Sequence, residues 1–163
     1  MMIWSLVVRA ATVCVAALVL AVPPAAAESG KPVPPAGNFT KRAHRLVLQV
    51  NTSEPATMNL VLNNATNAEQ YYKAIGERLD IEVVAFGPGL HMLRDDTSPV
   101  KDRIKAITRQ MPSISFKACG NTQEAMGKAE NKTIPLIAEA TVVKSGIVRV
   151  MELQEQGWTY VRP

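Results

Sequence analysis

Hydrophobic and polar positions follow two alternating periodicities from residue 44 to the end of the chain. Compact or alternating apolar runs predict five β-strands, at residues 44–50, 81–86, 114–118, 134–137 and 158–161. Between them, apolar residues spaced three and four apart predict amphipathic helices, which begin at Pro55, Ser98, Asn121 and Ser145. This alternation predicts one α/β domain with a mainly parallel sheet and helices on both of its faces.

Two of these helices carry predictions about which side chains face the sheet. The first is expected to continue its apolar stripe from Met58 to Leu79, and the last to turn Ile147, Val150 and Met151 inward. Pro135 stands near the start of the predicted fourth strand, where it removes one N–H group from strand pairing.

The residues before position 44 have a different character. Arg9 precedes an apolar run that ends at Val22, and three alanines at 25–27 form a small-residue cleavage site. Residues 1–27 are therefore predicted to be a signal peptide, cleaved near Ala27 to give a periplasmic or secreted protein. The run is too short and too rich in alanine for a stable membrane anchor. Residues 28–43 are rich in proline, glycine and serine and predict a flexible lead-in to a domain at 44–163.

Charge and composition narrow the classes of function. Loss of Arg9 with the leader lowers the formal net charge from +4 to +3, and charges of both signs are interspersed. No basic run with interleaved aromatic residues is present, so we expect no nucleic-acid partner. The spaced cysteine or histidine pairs of a zinc site are missing as well, and we predict neither a metal nor another cofactor.

The candidate chemistry centres on Cys119. Cys14 lies in the predicted leader, so Cys119 is the only cysteine expected in the mature protein. It follows a predicted strand, Gly120 permits a turn, and Asn121 three residues before Glu124 resembles a helix capping box. A helix N-terminus favours a thiolate by roughly 0.3–1 kcal/mol. These features predict a reactive thiol, and the alternative is a buried cysteine that packs as a small apolar residue.

Polar and glycine-rich segments follow the first three predicted strands, whose carboxyl ends are expected to meet at one edge of the sheet. His91 is the candidate proton acceptor for the Cys119 thiol, and a hydrogen bond within its own loop is the alternative reading. A soft-metal site for Cu(I), formed by Cys119, His91 and Met92, is a weaker alternative. The candidate binding residues at this edge are Asn51, Ser53, Gly87, Gly89, Gly120 and Asn121.

Four stretches together resemble the DsrE/DsrF-like sulfur-relay family. They are Asn-Asn-Ala at 63–65, Val-Val-Ala-Phe-Gly-Pro-Gly-Leu at 83–90, Ala-Cys-Gly-Asn-Thr at 118–122 and Ser-Gly-Ile-Val-Arg-Val-Met-Glu-Leu-Gln-Glu-Gln-Gly-Trp at 145–158. The resemblance implies a three-layer α/β/α domain with a five-stranded sheet in the order 4-3-2-1-5, and a homo-oligomer. It also implies that His91 and Cys119 are neighbours.

The same resemblance implies that Cys119 holds sulfane sulfur as a persulfide, exchanged with a donor or an acceptor of sulfane sulfur. Better-understood members of the family work in the cytoplasm, whereas this chain carries a predicted export signal. With Cys14 in the predicted leader, the mature protein is expected to have no second cysteine to act as an internal relay. A non-catalytic binding module for a small sulfur species, a soft metal or a protein partner is the alternative. The residues do not decide whether the protein is an enzyme.

Overall fold

The computed structural model describes residues 43–163, which form a five-stranded parallel sheet in the order β4-β3-β2-β1-β5. The predicted signal peptide lies outside the described residues, as does all but the last residue of the predicted lead-in. The elements are β1 (His44–Val50), α1 (Pro55–Ala74), β2 (Leu79–Ala85), a 3-10 helix (Gly87–Leu93), α2 (Lys101–Gln110), β3 (Ile114–Cys119), α3 (Gly120–Glu130), β4 (Ala140–Val143), α4 (Gly146–Glu155) and β5 (Thr159–Val161).

The order of the strands places the helices on the two faces. From β1 to β3 the chain advances in one direction across the sheet, and after β4 it returns to the far side of β1 to form β5. Crossovers between parallel strands are right-handed, so a reversal of direction moves the connecting helix to the opposite face. Helices α1 and α2 therefore cover one face and α4 covers the other, which confirms the predicted three-layer architecture.

The two faces hold hydrophobic cores of unequal size. Twenty buried residues, among them Met58, Leu62, Ile104 and Phe116, form the core between the sheet and α1, α2 and the 3-10 helix. Within the described part of the chain, the smaller core between α4 and the sheet consists of four buried residues, Val47, Val84, Val150 and Leu153. No helix within residues 43–163 has the length and apolar character that a membrane crossing requires.

The first helix begins as predicted but ends earlier. Pro55 occupies its first turn, where a missing N–H costs nothing, and Ile75 caps its end. Gly76 follows with a φ of +75°, which directs the chain away from the helix axis. Leu79 therefore opens β2 and is not the end of the helical stripe.

The predicted fourth strand at 134–137 is wrong. These residues form a loop in which Ile134 and Ile137 are buried, and only Leu136 makes an isolated antiparallel bridge to Arg94. Pro135 has no N–H to donate, and its carbonyl accepts a hydrogen bond from the backbone of Asp95 at 3.0 Å. The apolar residues cover the core from a loop, and the strand that pairs with β3 is Ala140–Val143.

The inward face of α4 is also different from the prediction. Val150 faces the sheet as expected, together with Gly146 and Leu153. Ile147 and Met151 are instead 51% and 52% exposed. The spacing from 146 to 150 to 153 defines the sheet-facing stripe, and the side chains one position later rotate toward solvent.

Candidate functional site

Cys119 lies where the edge strand, the central sheet and two helices converge. It is the last residue of β3 and the N-cap residue of α3, and its partner in β4 is Val143. The backbone N–H of Asn121 donates to the carbonyl of Lys144 at 3.1 Å, which ties the start of α3 to the loop before α4. A side chain at Gly120 would contact the Val143 carbonyl at 3.3 Å, so glycine allows this close packing.

The Cys119 sulfur is buried, and polar groups of the first turns of α3 and α4 act on its pKa. The residue is 5% exposed. Burial raises the pKa of the thiol, but the Thr122 hydroxyl and the backbone N–H groups of Gly146, Thr122 and Asn121 lower it more, and the net pKa is below the ordinary value for cysteine. Asn121 contributes least, in keeping with its hydrogen bond to a carbonyl. The remaining N–H groups come from the first turns of α3 and α4, which predisposes the sulfur to carry negative charge.

Thr122 connects this sulfur to the neighbouring loop. The backbone N–H of Gly87 donates to Thr122 Oγ1 at 3.0 Å. Thr122 was not singled out from the sequence, although it belongs to the quoted motif at 118–122. The sequence gives no sign of its hydrogen bond with Gly87, because Gly87 lies 35 residues earlier in the chain.

The Gly-Pro-Gly segment begins a 3-10 helix that presses on the end of β1. Gly87 has a φ of +54°, which only glycine adopts without strain. Gly89 has no such angle, but a Cβ there would lie 2.2 Å from the Val50 carbonyl oxygen and 2.8 Å from the Asn51 nitrogen. The two glycines are thus required for different reasons, and together they seat the 3-10 helix beside Cys119.

An open, mainly apolar groove lies over the start of α3. His91 lines it, and its ring Nδ1 is hydrogen-bonded to Thr97 Oγ1 at 2.8 Å. Four of the eight predicted site residues therefore meet at this groove, whereas Cys119, Asn51, Gly89 and Gly120 do not line it. The residues lining it are Ser53, Gly87, Pro88, His91, Asn121, Thr122, Ala125, Met126 and Ala129.

The geometry does not favour the copper site considered from the sequence. Met92 is fully buried in the larger core, away from the groove that His91 lines. Within the described part of the chain, no cluster of three or more histidine, cysteine, aspartate or glutamate side chains is arranged to hold a metal ion.

A buried arginine that was not found from the sequence contacts the groove residue Met126, with 3.8 Å between its Nη1 and the methionine sulfur. Arg94 is 1% exposed, and it binds Glu130 at 2.5 and 2.9 Å and Asp96 at 2.8 and 2.9 Å. Hydrogen bonds from Arg94 and Lys132 hold the pKa of Glu130 at about 2 and that of Asp96 well below its usual range. The cluster fixes the end of α3 to the segment after the 3-10 helix.

A second ion pair holds α4 on the opposite face. Glu82 in β2 is 7% exposed and accepts hydrogen bonds from Arg149 at 2.5 and 3.0 Å. Hydrogen bonding to this carboxylate raises the pKa of Arg149. Gly146, one turn earlier, packs so closely on Phe86 that a Cβ would lie 2.8 Å from the ring. These contacts position the Gly146 N–H beside Cys119.

Comparison with known proteins agrees with this architecture. No curated protein matches the chain. Among solved structures, the chain is similar to the protein of unknown function MTH1491 from Methanobacterium thermoautotrophicum, with 31% identity and a TM-score of 0.62 over 74% of this chain and 99% of that one. The model of the DsrE/DsrF-like family matches residues 44–163, which include every strand and helix described above. The chain therefore belongs to the DsrE/DsrF-like family.

Proposed function

We propose that this protein carries sulfane sulfur as a persulfide on Cys119. Membership of the DsrE/DsrF-like family supports a role related to sulfur relay. The observation that carries the finer proposal is the position of the Cys119 sulfur between the first turns of α3 and α4, where N–H groups and the Thr122 hydroxyl lower the thiol pKa. A thiolate is the nucleophile in sulfur exchange, so this environment favours the reaction.

The chemistry needs no cofactor. The Cys119 thiolate attacks a sulfane sulfur of a polysulfide, a new S–S bond forms, and the donor's S–S bond breaks with its electron pair on the shortened polysulfide. An acceptor thiolate then attacks the outer sulfur of the persulfide. The S–S bond at Cys119 breaks, and its electron pair returns to the Cys119 sulfur as a thiolate. No net oxidation takes place in either step.

The second candidate is a binding module that retains a small sulfur species without transferring it. The 5% exposure of Cys119 favours this reading, because an acceptor must reach a sulfur that is largely enclosed. Both candidates use the groove lined by Ser53, His91 and Met126.

The discriminating experiment measures the intact mass of protein incubated with inorganic polysulfide. We expect the wild-type protein to gain sulfur and Cys119→Ser to gain none. A second incubation with a small thiol separates the candidates, since a carrier transfers its sulfur to that thiol and a binding module retains it. If the wild-type protein acquires no sulfur on Cys119, both the sulfur carrier and the module that retains sulfur on this thiol are contradicted.

We also propose that the protein is exported. The support is the apolar run before Ala25-Ala26-Ala27, together with the match of the family model to residues 44–163, which leaves the earlier segment outside the domain. N-terminal sequencing of the exported protein should give Glu28 as the first residue. Protein that retains Met1 contradicts the proposed cleavage.

We also propose that the protein forms a homo-oligomer through α4 and the edge strand β4. Val142, Ile147, Val148 and Met151 are each about half exposed, with values from 47% to 52%. Exposed Lys144 precedes α4 and exposed Glu155 ends it. Antiparallel contact between two copies would set each lysine against a glutamate and cover the apolar residues.

Light scattering after size-exclusion chromatography tests this surface. We expect an oligomer for the wild-type protein and a monomer for Met151→Glu. Leu60→Glu is the matched control, because Leu60 is 46% exposed on α1, on the opposite face of the sheet. A monomeric wild-type protein, or equal effects of the two substitutions, contradicts the assignment.

A further inference from the structure

We propose that the Thr122 hydroxyl, held by the backbone N–H of Gly87, donates a hydrogen bond to the sulfur of Cys119. The consequence for sulfur transfer rests on the proposed function, whereas the contact itself does not.

The local geometry brings the two side chains together. Cys119 is the N-cap residue of α3 and Thr122 is the third residue of that helix. Residues three positions apart in a helical turn lie on the same side of it, so the two side chains are neighbours. Thr122 is partly buried and lines the groove, whereas Cys119 is buried and does not line it.

The hydrogen bond from Gly87 leaves the Thr122 hydroxyl free to act as a donor. A threonine hydroxyl has one proton and two acceptor lone pairs. Because the Gly87 N–H donates to Thr122 Oγ1 at 3.0 Å, one lone pair is occupied and the proton remains for another acceptor. Burial raises the pKa of Cys119, and among the groups that lower it the Thr122 hydroxyl has the largest effect. The direction of donation and the electrostatic effect on the thiol therefore agree.

This arrangement assigns Thr122 a role in the release of sulfur. When an acceptor thiolate takes the outer sulfur of the persulfide, the electron pair of the broken S–S bond develops on the Cys119 sulfur. A donor directed at that atom stabilises the developing thiolate, and a hydrogen bond to a charged group is stronger than one to a neutral group. Thr122 exchanges no proton with Cys119 in the net reaction.

The test compares Thr122→Val with Thr122→Ser in otherwise intact protein. The rate of alkylation of Cys119 by iodoacetamide is measured across a pH series. At a pH well below the wild-type midpoint, we expect Thr122→Val to react about tenfold more slowly, the factor associated with one hydrogen bond to a charged group. Thr122→Ser keeps the hydroxyl and should retain the wild-type midpoint. Thr141→Val, an exposed threonine in β4, is the control and should leave it unchanged.

Two outcomes would overturn the inference. One is a Thr122→Val midpoint equal to that of the wild type, and the other is an equal shift in Thr122→Ser. Circular dichroism verifies the fold, and Thr122→Ala replaces Thr122→Val if the valine variant does not fold. None of these measurements requires sulfur. A shifted midpoint without any persulfide on the wild-type protein refutes the sulfur carrier and leaves the role of Thr122 standing.

Discussion

Gly89→Ala tests how the 3-10 helix is seated on the sheet, and the structure allows its effect to be calculated approximately. The new Cβ would lie 2.2 Å from the Val50 carbonyl oxygen, 2.5 Å from its carbon and 2.8 Å from the Asn51 nitrogen. Non-bonded carbon atoms settle at about 3.5–4.0 Å from their neighbours. The 3-10 helix or the end of β1 must therefore move by about 1 Å.

The obstacle is backbone, which cannot escape by changing rotamer. Overpacking of a core typically costs about 1–3 kcal/mol, and this contact belongs at the upper end of that range. The Val50 carbonyl also accepts a hydrogen bond from the Phe86 N–H at 3.1 Å, and its distortion adds up to about 1 kcal/mol. We expect Gly89→Ala to lower the free energy of unfolding by about 3–4 kcal/mol.

Gly87→Ala is the matched control. Gly87 has a φ of +54°, and no atom lies within 4 Å of the point that a Cβ would occupy, so its substitution costs only the strain of a left-handed backbone, about 1–2 kcal/mol. Urea unfolding gives both values, and a change in midpoint without a change in slope confirms an effect on stability. If Gly89→Ala is no less stable than Gly87→Ala, the close approach to Val50 has been misinterpreted.

Three further predictions concern the surroundings of the groove. Stability should fall as the pH drops from about 4.5 toward 2, because the pKa of Glu130 is lowered from an ordinary value of 4.5 to about 2 in the folded protein; urea unfolding of Arg94→Met across this range should show a weaker pH dependence than the wild type. Gly146→Ala should raise the thiol pKa of Cys119 by displacing the first turn of α4 from the sulfur, and alkylation across a pH series measures it; an unchanged midpoint contradicts this role of the N–H. His91→Ala should slow sulfur uptake from polysulfide while leaving the alkylation midpoint in place, since the ring lines the groove and is hydrogen-bonded to a threonine; a shifted midpoint would instead support direct contact with the thiol.

The sequence pattern predicted most strands and helices, because the spacing of apolar residues within a segment determines which of the two it forms. The strand predicted at 114–118 and the helix predicted from Asn121 are both present, although the strand extends to Cys119 and the helix begins at Gly120. Residues 134–137 were wrongly predicted to form a strand, because a buried loop and a buried strand require the same apolar residues. Only the hydrogen-bonding partners distinguish the two, and they lie elsewhere in the chain.

Other features of the site arise from distant contacts and leave no local signal. Arg94 is buried because Glu130, 36 residues later, neutralises it together with Asp96. A lone arginine before two aspartates looks like an ordinary solvated segment. Thr122 likewise has no special pattern until the fold brings Gly87 to its hydroxyl. The positions of these side chains could be inferred only after the strand order was established.

The unequal cores have a consequence for the motions of the protein. Local opening costs least where few apolar side chains are buried, and the layer under α4 holds four such residues against twenty on the opposite face. Amide hydrogens of α4 should therefore exchange with solvent sooner than those of α1. Each such opening withdraws the Gly146 N–H from the sulfur and uncovers it at the same moment. Access to Cys119 and the acidity of its thiol are thus governed by one equilibrium, in which the enclosed sulfur is the more acidic and the uncovered sulfur the more accessible.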